Sequence, residues 1–232
     1  MRFIAALVGA ACIAGVSSAQ ITYNDAAGDA TGNSFGELGG THMDITGVTV
    51  SHDATNVYFN IQLSNLGADW GKYGILIDSK AGGVSSPSNA WGRAINTAVA
   101  VDYWLGSWAD SGGGAQLWKN NGASWDGVEF RATYNGNLGQ SINWGGGSIL
   151  YTIARADIDM ASNGTFYFDV VTTGGGGSDP GIDHLSVQGD AGGRWSGTPS
   201  TTGDFLAYTI PTPGALALLG AGVVAAARRR RA

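Results

Sequence analysis

The chain has 232 residues, with 12 Lys and Arg against 18 Asp and Glu, for a formal net charge of −6. That balance makes nucleic acid and anionic membrane surfaces poor partners, because the electrostatic term is repulsive. Its 39 glycines and 8 tryptophans, together with an acidic set dominated by Asp, favour turns and strands over helices and suit a β-rich extracellular domain.

The first predicted element is a secretory signal peptide over residues 1–19. Met1-Arg2 gives a positive start, residues 3–16 are apolar, and Ser17-Ser18-Ala19 before Gln20 is a small-residue cleavage site. Delivery is then expected through the Sec translocon, with cleavage between Ala19 and Gln20. The only cysteine, Cys12, lies inside this segment, and Gly9 three positions earlier argues against a lipoprotein signal. The mature chain therefore offers neither a disulfide nor a thiolate metal site. Residues 20–210 remain as one domain, long enough to bury a substantial core. Losing both terminal segments removes Arg2 and the four C-terminal arginines but no acidic residue, so the body carries a net charge of −11.

Strand signals with turns between them recur along this body. Residues 45–50 alternate, and residues 57–63 alternate cleanly, with Val57, Phe59, Ile61 and Leu63 on one face and Tyr58, Asn60 and Gln62 on the other. Residues 51–56 join the two as a hairpin. Further strands are predicted at 73–78, 99–105, 116–119, 127–134, 148–153, 165–172 and 204–209, and one helical turn is predicted over 154–160. No three-turn amphipathic helix is visible in the body. Some nine short strands without helices predict an all-β fold, a single antiparallel β-sandwich of jelly-roll type. The runs at 112–114, 145–147 and 174–177 are glycine loops; no Lys-Ser/Thr follows any of them, which argues against a phosphate cradle.

Asp44-Ile45 leading into a strand, Asp53 and Asn56 before Val57-Tyr58-Phe59, and Tyr73-Gly74-Ile75-Leu76-Ile77-Asp78 resemble the start of sugar-binding sandwich domains. These are the family-nine carbohydrate-binding modules and the related DOMON and glucodextranase C-terminal domains. Asn24-Asp25-Ala26-Ala27-Gly28-Asp29 is similar to their aspartate-rich opening, and residues 152–158 resemble their late strand and turn. The resemblance implies a β-sandwich that often carries calcium and sometimes grips sugars between aromatic rings.

Two constellations bear on binding. Asp25, Asp29 and Asp44 sit in a loop-rich region where carboxylates can supply oxygens to a structural Ca²⁺, although the spacing is not that of an EF-hand. The alternative is Asx-turns and solvated loop charges. Trp104, Trp108, Trp118 and Trp125 fall close together, and Trp104 and Trp118, on strands joined by a glycine loop, are the candidate platform for a sugar ring. Ordinary core packing competes with that reading, because Trp carries a large apolar area. Catalysis is the weakest expectation. His42, His52 and His184 are scattered, with His52 beside Asp53 and His184 beside Asp183 read as surface neighbours. There is no Gly-x-Ser-x-Gly elbow. A paired-carboxylate glycoside hydrolase would have to draw on Glu37, Glu129 or Asp residues.

The last predicted element, residues 211–232, reads Pro211-Thr212-Pro213-Gly214, an uncharged small-residue run, then Arg228, Arg229, Arg230 and Arg231. The run is shorter than the roughly 20 residues a spanning helix needs, which suits a processing signal. The arginines would be held on the cytoplasmic side. A plain single-pass tail is the alternative. The pattern of proline motif, short hydrophobic helix and terminal arginine cluster resembles the PEP-CTERM sorting signal, with Thr212 where that family has Glu. The resemblance implies export, transient lodging in the cytoplasmic membrane, and transfer by an exosortase-like transpeptidase to the cell surface of a Gram-negative-type bacterium. The expected protein is non-enzymatic and binds or decorates extracellular polysaccharide. A ligand-free structural coat component and a secreted hydrolase are the other readings.

Overall fold

In a computed structural model that describes residues 20–32, 40–67, 70–194 and 198–211, the alternating stretches become strands of an all-β fold. In chain order they are β1 (Gln20–Asn24), β2 (Ile45–His52), β3 (Asn56–Leu63), β4 (Lys72–Asp78), β5 (Ile95–Asn96), β6 (Tyr103–Trp108) and β7 (Gly114–Lys119). They continue with β8 (Arg131–Ala132), β9 (Gly139–Asn143), β10 (Ser148–Ala154), β11 (Gly164–Thr173), β12 (Gly181–His184), β13 (Ser200–Thr201) and β14 (Leu206–Ile210). The helical pieces among the described residues are short 3-10 turns, and none is long and apolar enough to cross a membrane. The predicted signal peptide lies outside the described residues, as does the C-terminal segment beyond Pro211.

Two antiparallel sheets face each other. The first has the order β1-β2-β3-β10-β9; the second runs β12-β11-β4-β6-β7-β8, with β14 pairing the other half of the β11 edge that β12 uses. The β2–β3 hairpin forms because Asp53 closes its turn, its Oδ1 accepting the backbone N–H groups of Thr55 and Asn56 at 2.7 Å each. Alternation then aims Val57, Phe59 and Ile61 inward, where they meet Ile75, Leu105 and Phe168 from the second sheet in one core. Each such buried side chain contributes roughly 1.5–3 kcal/mol. The layers are held by that burial, as a cysteine-free body requires.

The second sheet is covered on its outer face as well. Leu76, Trp104 and Val171 point away from the inter-sheet core into a smaller apolar cluster with Ile95, Val101 and Phe205. The segment between β4 and β6 supplies part of this lid, stitched by the parallel pair β5–β13 and by a Val84–Val101 bridge. Gly106 makes the close fit possible: a Cβ there would collide with the ring of Trp91.

Several predicted boundaries shift. The strand expected at 99–105 begins only at Tyr103, because Asp102 turns its carboxylate onto the N–H groups of Ser79 and Lys80, both at 2.9 Å. Of 127–134 only Arg131–Ala132 joins the sheet. Strands β1, β5, β9, β12 and β13 escaped the sequence reading. The helical turn expected over 154–160 is a 3-10 turn at Arg155–Ile158.

Candidate functional site

Three carboxylates converge where the ends of β1, β2 and β12 meet. Asp29 opens the 3-10 turn Asp29–Gly32, Asp44 immediately precedes β2, and Asp183 lies on β12. One oxygen from each lies within 4.8 Å of the others. That separation is about twice a Ca–O distance of ~2.4 Å, so one ion can touch all three. Backbone donors orient the set: Ile45 N–H donates to Asp183 Oδ2 at 2.6 Å, Gly28 N–H to both oxygens of Asp44 at 2.9 Å, and Gly189 N–H to Asp29 Oδ2 at 2.8 Å. The Ser64 hydroxyl also donates to Asp44.

The electrostatics show a surplus of negative charge. Burial pushes the Asp183 carboxyl up to about 9, with repulsion from Asp25, Asp29 and Asp44 adding to it. Asp25 is raised to about 7, chiefly by burial, and Asp29 is raised for the same reason. Among the described residues none of these four carboxylates forms an ion pair with Lys or Arg. Asp25 Oδ2 and Asp29 Oδ1 are buried with no hydrogen-bond partner among the described residues, the pattern of a donor set that fits a hard divalent cation. Of the three residues expected to bind calcium, Asp29 and Asp44 are brought together, while Asp25 stands beside them as a charge. Asp183 completes the cluster; it is 1% exposed, so its reading as a surface neighbour of His184 is corrected.

The tryptophans resolve differently. Trp104 is 0% exposed, sandwiched between the second sheet and its lid with its ring 6.3 Å from that of Trp91. The expectation of a sugar platform there is corrected: no face of that ring is open. Trp118, its neighbour across the β6–β7 ladder, is half-buried against the same apolar cluster, as is Trp125. The exposed aromatic rings lie elsewhere, including Trp144 in the β9–β10 turn at 45% exposure and Tyr134 at 67%.

The outer face of the first sheet is open and polar. Across its strands the register aligns Thr49, Asn60, Leu150 and Ser141 in one row, beside a second row of Gln20, Ser51 and Tyr58. With Ser148 and Asn143 these residues line a shallow depression of about 370 Å³ that holds no acidic or basic side chain. Tyr58 is fixed by donating its hydroxyl to Asp53 Oδ2 at 2.6 Å, a bond that helps keep Asp53 below the usual carboxylate range. A second depression of about 410 Å³ lies at the β9 edge, around Thr133, Tyr134, Leu138 and Gln140.

No family model, curated protein or solved structure matches the chain.

The site must therefore be read from its own chemistry, and one arrangement invites a catalytic reading. Asp169, His184 and Ser200 form a hydrogen-bonded chain, with His184 Nδ1 2.9 Å from Asp169 Oδ2 and His184 Nε2 2.8 Å from Ser200 Oγ. This is the order of groups in a serine-hydrolase triad. All three are fully buried, and a Cβ placed on Gly181 would collide with both His184 Nε2 and Ser200 Oγ. No carbonyl carbon fits beside that hydroxyl, so the chain ties β11, β12 and β13 together. His184, expected at the surface, belongs to this tie. His52 is likewise buried, its Nδ1 sharing a 2.7 Å hydrogen bond with the Tyr208 hydroxyl. Glu129 is half-buried in the loop before β8, and Glu37 lies outside the described residues. So do Ala19, Thr212, Pro213 and Arg228 to Arg231; Gln20 begins β1 and Pro211 follows β14.

Proposed function

We propose that this is an exported, surface-retained, non-enzymatic protein whose β-sandwich binds extracellular glycan, with Ca²⁺ at the Asp29–Asp44–Asp183 cluster bracing the fold. The observation that carries this reading is the uncharged outer face of the first sheet. A neutral saccharide presents many hydroxyls and no charge. It is best met by side chains that both donate and accept, such as Asn60, Ser141 and Asn143, because burying an unpaired charge against it would be costly. The net charge of −11 on the body argues against nucleic acid as the ligand. In this reading the C-terminal segment hands the domain to an exosortase-like transpeptidase, and the Trp104–Trp118 pair is structural.

The test is binding of the full chain to an array of neutral glycans, repeated with Asn60→Ala. Loss or marked weakening in the variant is expected. If Asn60→Ala binds every glycan as the unaltered chain does, or if the chain binds none, the glycan reading fails.

A further inference from the structure

Beyond the polar face, the first sheet ends at β9 in a feature that the face alone does not require. The outward positions of β9 are Gly139, Ser141 and Asn143, aligned with Thr152, Leu150 and Ser148 of β10. Ser141 and Asn143 carry side chains into the face depression. Gly139 carries none, so at that corner no side chain stands between the face and what lies past the sheet edge. Gly139 also lines the second depression, with Gln140 and Tyr134. The two hollows thus share strand β9, and the residue at their junction is a glycine.

The second hollow is built rigidly. Tyr134 sits in the middle of the 3-10 turn Thr133–Asn135, which is closed by Gly136 in the left-handed region at φ 78° and by a Gly136 N–H bond to the Thr133 carbonyl at 3.1 Å. The turn is fastened to the second sheet, because Thr133 Oγ1 accepts the Ala115 N–H at 3.1 Å. The Gln140 amide donates to the Trp108 and Gly114 carbonyls at 3.0 and 3.3 Å, which fixes the floor. The outcome is a ring 67% exposed on a backbone that has little freedom to move. A large ring held out in water on a hydrogen-bonded turn is a feature of a contact surface, since the backbone's share of the ordering cost is met before a ligand arrives.

Resting on the glycan-binding reading, we propose that the site extends past the sheet. A neutral, linear glycan lies across the strands from β1 to β9, passes over the edge at Gly139, and stacks an end residue on Tyr134. Five strands spaced about 4.8 Å apart span about 19 Å, so a single sugar ring cannot touch both ends of this path. The occupant is a chain, and it is neutral, because neither hollow is lined by a carboxylate, Lys, Arg or His. Tyr58 and Leu150 give the chain apolar contact on the face, and Tyr134 gives it a terminal stacking partner.

The experiment measures affinity of the full chain for a length series of neutral linear gluco- and manno-oligosaccharides, and for a matching uronate series. Tyr134→Ala, Tyr134→Phe and Asn60→Ala are measured beside it. Affinity is expected to rise with length; Tyr134→Ala should then lose on the order of tenfold on the longest members and nothing on the shortest. Tyr134→Phe, which keeps the ring, should behave as the unaltered chain. Because Tyr134 is a surface residue, the Ala variant is expected to fold. If Tyr134→Ala binds long oligomers undiminished while Asn60→Ala weakens all lengths, the extension is overturned and the face survives. If Asn60→Ala changes nothing, or the chain binds no member of the series, the underlying reading falls and takes the extension with it. Preference for the uronates, or affinity independent of length, would also overturn the proposal.

Discussion

Trp104 shows how far a single side chain's role depends on what covers it. Its spacing from Trp118 is that of a cross-strand pair, which the register confirms. Yet sequence gives the pairing and not the lid, and the lid decides the role. Trp104→Ala is expected to cost about 3–5 kcal/mol of stability, measured by denaturant unfolding, because it empties a fully enclosed site. The folded fraction should bind glycan unchanged. Asp183 makes the complementary point. Asp29 and Asp44 were legible as candidates for one cluster because they crowd an aspartate-rich opening, but Asp183 comes from a strand more than 130 residues later, its Oδ2 accepting the Ile45 N–H across the molecule. No local spacing encodes that approach.

At the scale of elements, long strands with an apolar buried face were legible; β12, four residues buried throughout but half polar, and the two-residue β5 and β13 were not. β3 alternates Val57, Phe59, Ile61 and Leu63 against polar neighbours, and its pattern is its burial. β9, Gly139–Asn143, buries no residue fully, so nothing in its composition separates it from a loop. β4 was visible for the opposite reason: apolar on both faces, it is packed between the core and the lid. The ties between elements carry pH dependence. His52 on β2 meets Tyr208 on β14, and burial holds the His52 pKa below its ordinary 6.5. The native state thus disfavours the imidazolium. The associated stability is present above about pH 6.5 and is lost as pH falls towards and through the lowered value. The His52 contribution should fall away as pH drops below about 6.5, opposing the raised carboxyls of Asp25 and Asp183, and His52→Gln should remove that contribution from thermal melts taken across pH.

Residues 20–210 form an acidic body with no cysteine, so a cation is a cross-link open to it. Calcium at Asp29, Asp44 and Asp183 would join the opening loop to β2 and β12. A ligand at about 100-fold above its dissociation constant adds about 2.7 kcal/mol. For a domain of this size that is on the order of 5–10 °C in melting temperature. Chelation of the full chain should lower the melting temperature by that order, and readdition of calcium should restore it; an unchanged melt would remove the ion from the account. The all-β class was legible because some nine short strand signals and no amphipathic helix leave few other solutions. The lid over the second sheet was not. It rests on β5 and β13, strands of two residues each that pair from opposite halves of the chain.

The last of the described strands closes the inter-sheet core. β14 contributes Tyr208 and Ile210 to the inter-sheet core, and the Ala207 carbonyl accepts the hydroxyl of Tyr23 from β1 at 2.6 Å. The first and last described strands are thus joined directly, so a chain made N-terminus first cannot complete this interior until residue 210 is present.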